Sequence, residues 1–122
     1  MHTPSTTGSI IQLPRILAAP MEGIGTRILR AAHHAVFPEG IDAYYTPFLS
    51  VYPNLSYRRR DLRELLFDDE GEADDAALRR MTIPQILFGS AREARWAIGD
   101  LYARGVCEID LNLGCPSRTV VT

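Results

Sequence analysis

Val106-Cys107-Glu108-Ile109-Asp110-Leu111-Asn112 is the stretch on which the fold turns. Side chains of a strand alternate between faces, so Cys107, Ile109 and Leu111 share one side and Glu108, Asp110 and Asn112 the other. Two readings stay open for the polar side. It can be the wet face of an edge strand. It can equally be the inner face of a closed barrel, whose carboxyl end carries the chemistry. The turn Gly114-Cys115-Pro116-Ser117 follows at once. Glycine lets backbone approach a ligand closely and proline fixes the turn, so the Cys115 thiol there can be a nucleophile, an acid or inert filler. An unperturbed thiol titrates near ~8.5 and is therefore mostly protonated at neutral pH, able to give up a proton.

Working backwards, the chain alternates strand and helix signals. Arg15-Ile16-Leu17-Ala18-Ala19 is a short apolar run stopped by Pro20 and predicts a buried strand. Thr26 can cap a helix over 27–36, with Ile28, Leu29, Ala32 and Val36 on one face of it. Residues 41–48 predict a second strand ended by Pro47. Residues 56–67 suggest a helix, 68–75 an acidic turn, and 74–80 one or two further helical turns. Residues 83–89 form a third strand. Ser90 with Glu93 has capping-box spacing for a helix whose buried stripe is Ala94, Ala97, Ile98 and Leu101, stopped at Arg104-Gly105. The stretch from Val106 to Asn112 is the fourth strand. Such alternation implies right-handed crossovers and a parallel sheet.

Composition narrows the function. The chain has 122 residues, 46% hydrophobic and 23% charged, with a formal net charge of −2. That is globular and excludes binding to nucleic acid or membrane through bulk positive charge. All 13 basic residues are arginine, so no lysine chemistry comes from these residues. The two cysteines, Cys107 and Cys115, form neither a disulfide framework nor a CxxC metal pair, and no metal site is expected. There is no signal-peptide pattern at the start and no apolar run near the ~20 residues of a membrane span, so a cytoplasmic location is expected. His33 and His34 are adjacent on a helix and point apart, one expected inward and one solvated. Arg58-Arg59-Arg60 with Arg63 could touch phosphate, but the interleaved Asp61 and Glu64 favour a solvated face. Gly23-x-Gly25 lacks the third glycine of a dinucleotide fingerprint.

Three runs, in order, resemble the N-terminal half of a tRNA-dihydrouridine synthase. Ala18-Ala19-Pro20-Met21-Glu22-Gly23-Ile24 resembles the family's first-strand signature. Pro84-Gln85-Ile86-Leu87-Phe88-Gly89 resembles its third-strand run. Ile109-Asp110-Leu111-Asn112-Leu113-Gly114-Cys115-Pro116-Ser117 resembles its most diagnostic one. The resemblance implies an α/β fold of the parallel (β/α)8 TIM-barrel type, of which this chain carries about the first four strands. On that reading residues 1–14 are a flexible N-terminus and 15–122 the first half of an FMN-binding barrel. It further implies reduction of the C5–C6 bond of uridine in tRNA, with NADPH reloading FMN. Pro20 and Met21 match positions whose backbone lies along the flavin ring, and Gln85 matches the glutamine that hydrogen-bonds it. Asn112 matches the asparagine that holds the uracil, and Cys115 the cysteine that protonates C5 as hydride reaches C6. Where many members have a glutamate after the second-strand threonine, this chain has Pro47 after Thr46. The family's flavin-gripping lysine and histidine belong to later strands, so the 122 residues alone are expected to hold FMN poorly and not to turn over. Two rivals are another FMN barrel of the dihydroorotate or dihydropyrimidine dehydrogenase type, and a non-catalytic half-barrel that self-associates or pairs with a partner chain.

Overall fold

The computed structural model describes residues 13–65 and 76–114. Its elements are β1 (Leu17–Ala18), α1 (Arg27–Val36), β2 (Ala43–Tyr45), β3 (Leu49–Ser50), α2 (Arg59–Arg63), α3 (Ala76–Met81), β4 (Thr82–Ile83), β5 (Gln85–Leu87), α4 (Ala91–Ala103) and β6 (Asp110–Asn112). All pairings are parallel, in the orders β1-β2-β4 and β3-β5-β6.

The strands are shorter than the sequence predicts, and proline explains two of the differences. Pro47 was expected to end the second strand, yet pairing resumes beyond it at Leu49–Ser50. Pro84 divides the third strand into β4 and β5, because its nitrogen has no hydrogen to donate. Hydrogen bonds bridge both interruptions. Thr46 N donates to Ile83 O at 3.0 Å and Asp110 N to Pro84 O at 2.9 Å. Gln85 N donates to Thr46 Oγ1 at 3.2 Å. The six short strands therefore occupy four consecutive positions of one parallel array, in chain order. The first strand is ordered only over Leu17–Ala18 and the fourth only over Asp110–Asn112.

Helix α4 covers one face of the second half of this array. Ser90 Oγ accepts from Glu93 N at 3.3 Å, and Glu93 Oε2 accepts from Gly89 N at 2.6 Å, so the spacing read from sequence does cap the helix. Ala97 and Leu101 are fully buried with Leu49, Val51, Leu65 and Ile86. Ile98, expected in the stripe, is 43% exposed, and Glu93 is buried in its place. At the far end Gly105 adopts φ +89°, a conformation glycine reaches without penalty.

Helix α1 has the expected bounds, and Thr26 Oγ1 accepts from Leu29 N at 3.4 Å. The apolar face read from the sequence is turned outward. Ile28, Leu29 and Val36 are 77%, 48% and 67% exposed, while Arg30 is 3% exposed. Arg30 is buried because its partners are in place. Nη1 donates to Gly25 O at 2.7 Å and pairs with Glu64 Oε2 at 3.5 Å, and Nη2 donates to the Glu64 backbone carbonyl. Glu64 Oε2 also accepts from Arg27 N at 2.6 Å. Burial pulls the Arg30 guanidinium below its ordinary value, and the Glu64 carboxylate opposes that shift.

Two smaller expectations change as well. His33 and His34 are both half-buried rather than one in and one out, and His33 Nδ1 lies 2.7 Å from Tyr44 Oη. Helix α2 is confined to Arg59–Arg63. In the arginine cluster, Arg58 donates to Tyr52 Oη and lies over the Tyr52 ring at 5.8 Å, whereas Arg59, Arg60 and Arg63 are exposed. The acidic turn expected at 68–75 lies outside the described residues, as do residues 1–12 of the expected N-terminal tail.

Candidate functional site

The register sets the face on which polar groups gather. Leu49, Ile86 and Leu111 share one row across three strands, and Leu49 and Ile86 pack into the core with α4. Alternation then puts Gln85, Asp110 and Asn112 on the opposite face. Gln85 is paired with Asp110, and Leu87 with Asn112. The alternation read from the sequence of the fourth strand thus places Asp110 and Asn112 together, as expected.

These three side chains form a continuous hydrogen-bonded row. Gln85 Nε2 donates to Asp110 Oδ2 at 2.6 Å, and Asn112 Nδ2 donates to Gln85 Oε1 at 3.2 Å. Asn112 Oδ1 accepts from Gly114 N at 3.2 Å, which ties the row to the turn that leads to Cys115. All three are half-buried. Gln85 is itself seated by Thr46, a fully buried residue whose hydroxyl takes the Gln85 backbone N–H. Thr46 thus serves the site without touching its face. The sequence pointed to this threonine only through its place in the second-strand motif.

Pro20 and Met21 lie at the same end of the array, directly after β1. Ala18 is level with Tyr44 and Tyr44 with Thr82. Met21 follows Ala18 by three residues in the chain, as Gln85 follows Thr82. Met21 is 56% exposed and Pro20 half-buried. The turn is closed by two bonds to Met21 O, from Ile24 N at 3.1 Å and Gly25 N at 2.7 Å. A Cβ on Gly25 would stand 3.1 Å from both Met21 N and Met21 O, so a larger residue there would have to push this backbone aside by a few tenths of an ångström. Gly23 meets the other demand of the turn with φ +77°. Both amides bonded to Met21 are consumed inside the turn and are not offered to a phosphate, in keeping with the missing third glycine. No hydrogen bond joins Pro20 or Met21 to the Gln85 row among the described residues. Cys115 lies outside the described residues.

The surroundings differ in character at the two ends of the strands. A hollow of about 250 Å³ beside the turn after β1 includes Glu22, Phe48 and Asp61. Burial raises the Asp61 carboxyl above its ordinary value, opposed by a hydrogen bond from the Ser50 backbone and by Arg60. A second hollow of about 250 Å³ lies at the opposite ends of the strands and includes Arg15, Cys107 and Glu108. Among the described residues there is no group of three or more His, Cys, Asp or Glu that could hold a metal ion. No described helix is long and apolar enough to cross a membrane.

The donor set suits a planar ligand edged with carbonyl oxygens. Gln85 and Asn112 each commit one N–H to the row, and an amide nitrogen carries two. The second hydrogens remain for an acceptor. Both a flavin ring and a uracil present such acceptors. The Dihydrouridine synthase (Dus) family model matches residues 16–122 of the chain. Neither the curated proteins nor the solved structures gave a match.

Proposed function

The chain belongs to the dihydrouridine synthase family, and from that premise we propose that it forms the first half of a flavin-dependent barrel that reduces the C5–C6 bond of uridine in tRNA. The observation that carries this reading is the Gln85–Asp110–Asn112 row at the carboxyl end of neighbouring parallel strands, the end where barrel enzymes keep their chemistry. Strands β1 and β6 each pair on one side only among the described residues, which supports closure by further parallel strands.

In this reading the backbone of Pro20 and Met21 supports the flavin ring and the Gln85 amide donates to its edge. Bound FMN would supply the hydride for C6 of the base, and NADPH would restore it. Asn112 orients the uracil by donating its second Nδ2 hydrogen to a carbonyl oxygen of the base. Hydride addition leaves negative charge on the base, so an acid must deliver a proton to C5. Cys115, the residue after Gly114 in the sequence, is that acid. The target base must leave its stack to reach such a site, so the partner is tRNA and the setting cytoplasmic.

Competition between substrates tests the reading. With FMN and NADPH, the assembled enzyme is expected to convert uridine in unmodified tRNA and to leave free uracil and uridine unreduced. Faster reduction of the free base would move the chain to the dihydroorotate or dihydropyrimidine dehydrogenase type of barrel.

A further inference from the structure

The amides of Gln85 and Asn112 could, by shape alone, sit either way round, since oxygen and NH2 occupy nearly the same space. One neighbour removes that freedom. An ionised carboxylate only accepts hydrogen bonds, so the Gln85 atom 2.6 Å from Asp110 Oδ2 is the nitrogen. Gln85 Oε1 then faces Asn112, and the Asn112 atom 3.2 Å from it is the nitrogen in turn. Asn112 Oδ1 is left to accept from Gly114 N, a backbone group that only donates. Both ends of the row demand the same direction. The carboxylate end is the stronger, because its bond is charge-assisted and short, at 2.6 Å. The Gly114 end is longer, at 3.2 Å, and sits at an exposed residue.

We infer that Asp110 is a positioning residue that sets the polarity of this row, so that both amides turn N–H donors toward the ligand and the site reads carbonyl oxygens. This inference rests on the reading that Gln85 and Asn112 face the ligand. Asp110 itself need touch neither flavin nor uracil. Its charge acts through Gln85, and the row transmits the choice to Asn112. A neutral residue of the same shape could donate or accept, and would leave Gln85 able to present its oxygen to the ligand.

The test uses the 15N-labelled 122-residue chain and the side-chain amide signals of Gln85 and Asn112, with FMN as the probe. In the unaltered chain one Gln85 Nε2 proton is expected downfield and slow to exchange, because it is donated to a carboxylate. Asp110→Asn is expected to abolish that displacement while leaving the backbone signals of β5 and β6 in place. At a fixed FMN concentration the movement of the Gln85 signal should fall about tenfold, the size of effect lost with one charge-assisted hydrogen bond. Asp110→Ala should remove the downfield signal in the same way. If either variant keeps the Gln85 amide signals and the FMN response of the unaltered chain, the inference is overturned. If the strand backbone signals collapse together with the amide signals, Asp110 holds the fold rather than the polarity, and the inference again fails. Gln85→Leu separates this from the underlying reading. An unchanged FMN response at the Asn112 amide in Gln85→Leu would remove Gln85 from the site, whereas its loss there with a normal Asp110→Asn would sink the inference about Asp110 alone.

Discussion

Cys115→Ala is expected to slow uridine reduction by the assembled enzyme by roughly 10²–10⁴-fold, the usual contribution of a positioned general acid. The expectation follows from where the turn begins. Asn112 Oδ1 holds Gly114 N at 3.2 Å, so the last described residue before Cys115 is tied to the amide row. Charge builds on the base as hydride arrives, and no other protonated group of suitable pKa occurs in the diagnostic run from Ile109 to Ser117. A thiol near its ordinary ~8.5 is a competent donor at neutral pH and loses that capacity as pH rises through its pKa. Turnover should therefore fall on the alkaline side. NADPH oxidation measured without tRNA should be unaffected in Cys115→Ala, because the thiol acts only on the base. A variant that still reduces tRNA uridine at the original rate would remove Cys115 from the mechanism.

Arg30→Met carries the largest expected effect on stability, a loss of about 2–3 kcal/mol, somewhat below the ~3–5 kcal/mol of breaking a fully buried pair because Glu64 keeps partial access to water. Arg30 is 3% exposed and Glu64 27%. Methionine fills the space of the stem but leaves the Gly25 carbonyl and the Glu64 groups without the guanidinium donors that hold them now. Glu64→Gln should cost less, since the Glu64 backbone carbonyl still takes Nη2 and a side-chain oxygen remains for Arg27 N. Urea unfolding of the two variants measures both. A loss below about 0.5 kcal/mol for Arg30→Met, the range of an exposed pair, would show that this tie between α1 and the end of α2 contributes nothing.

The site was more legible in the sequence than the packing around it. Strict alternation in Asp110-Leu111-Asn112 was enough to put Asp110 and Asn112 on one face, and the structure adds that Gln85 lies between them in hydrogen-bonding terms. Capping at Thr26 and Ser90 was equally readable, because it depends on residues three apart. Which face of helix α1 is buried was not legible, for a physical reason. Periodicity reveals an apolar stripe but not which neighbour covers it, and Ile28, Leu29 and Val36 face outward. The buried face was set instead by Arg30, whose partners Gly25 and Glu64 lie outside the helix and leave no local mark. The prolines misled in a similar way. Pro47 and Pro84 interrupt strands, but Thr46 carries hydrogen bonds across both gaps, a role that only pairing in space can reveal.

The central claim is that Gln85 presents a donor to a flavin laid against the turn at Met21, with Asn112, bonded to Gln85, beside it to hold the uracil. Titrating the 15N-labelled chain with FMN tests it most directly, because resonance shifts report binding even when it is weak. The account predicts saturable shifts at the Gln85 and Asn112 side-chain amides and the Met21 backbone N–H, with half-saturation on the order of 1 mM, equivalent to about 4 kcal/mol of binding for a site lacking its remaining contacts. Shifts confined to the opposite end of the strands, around Arg15 and Glu108, or no response at any of the three groups, would contradict it.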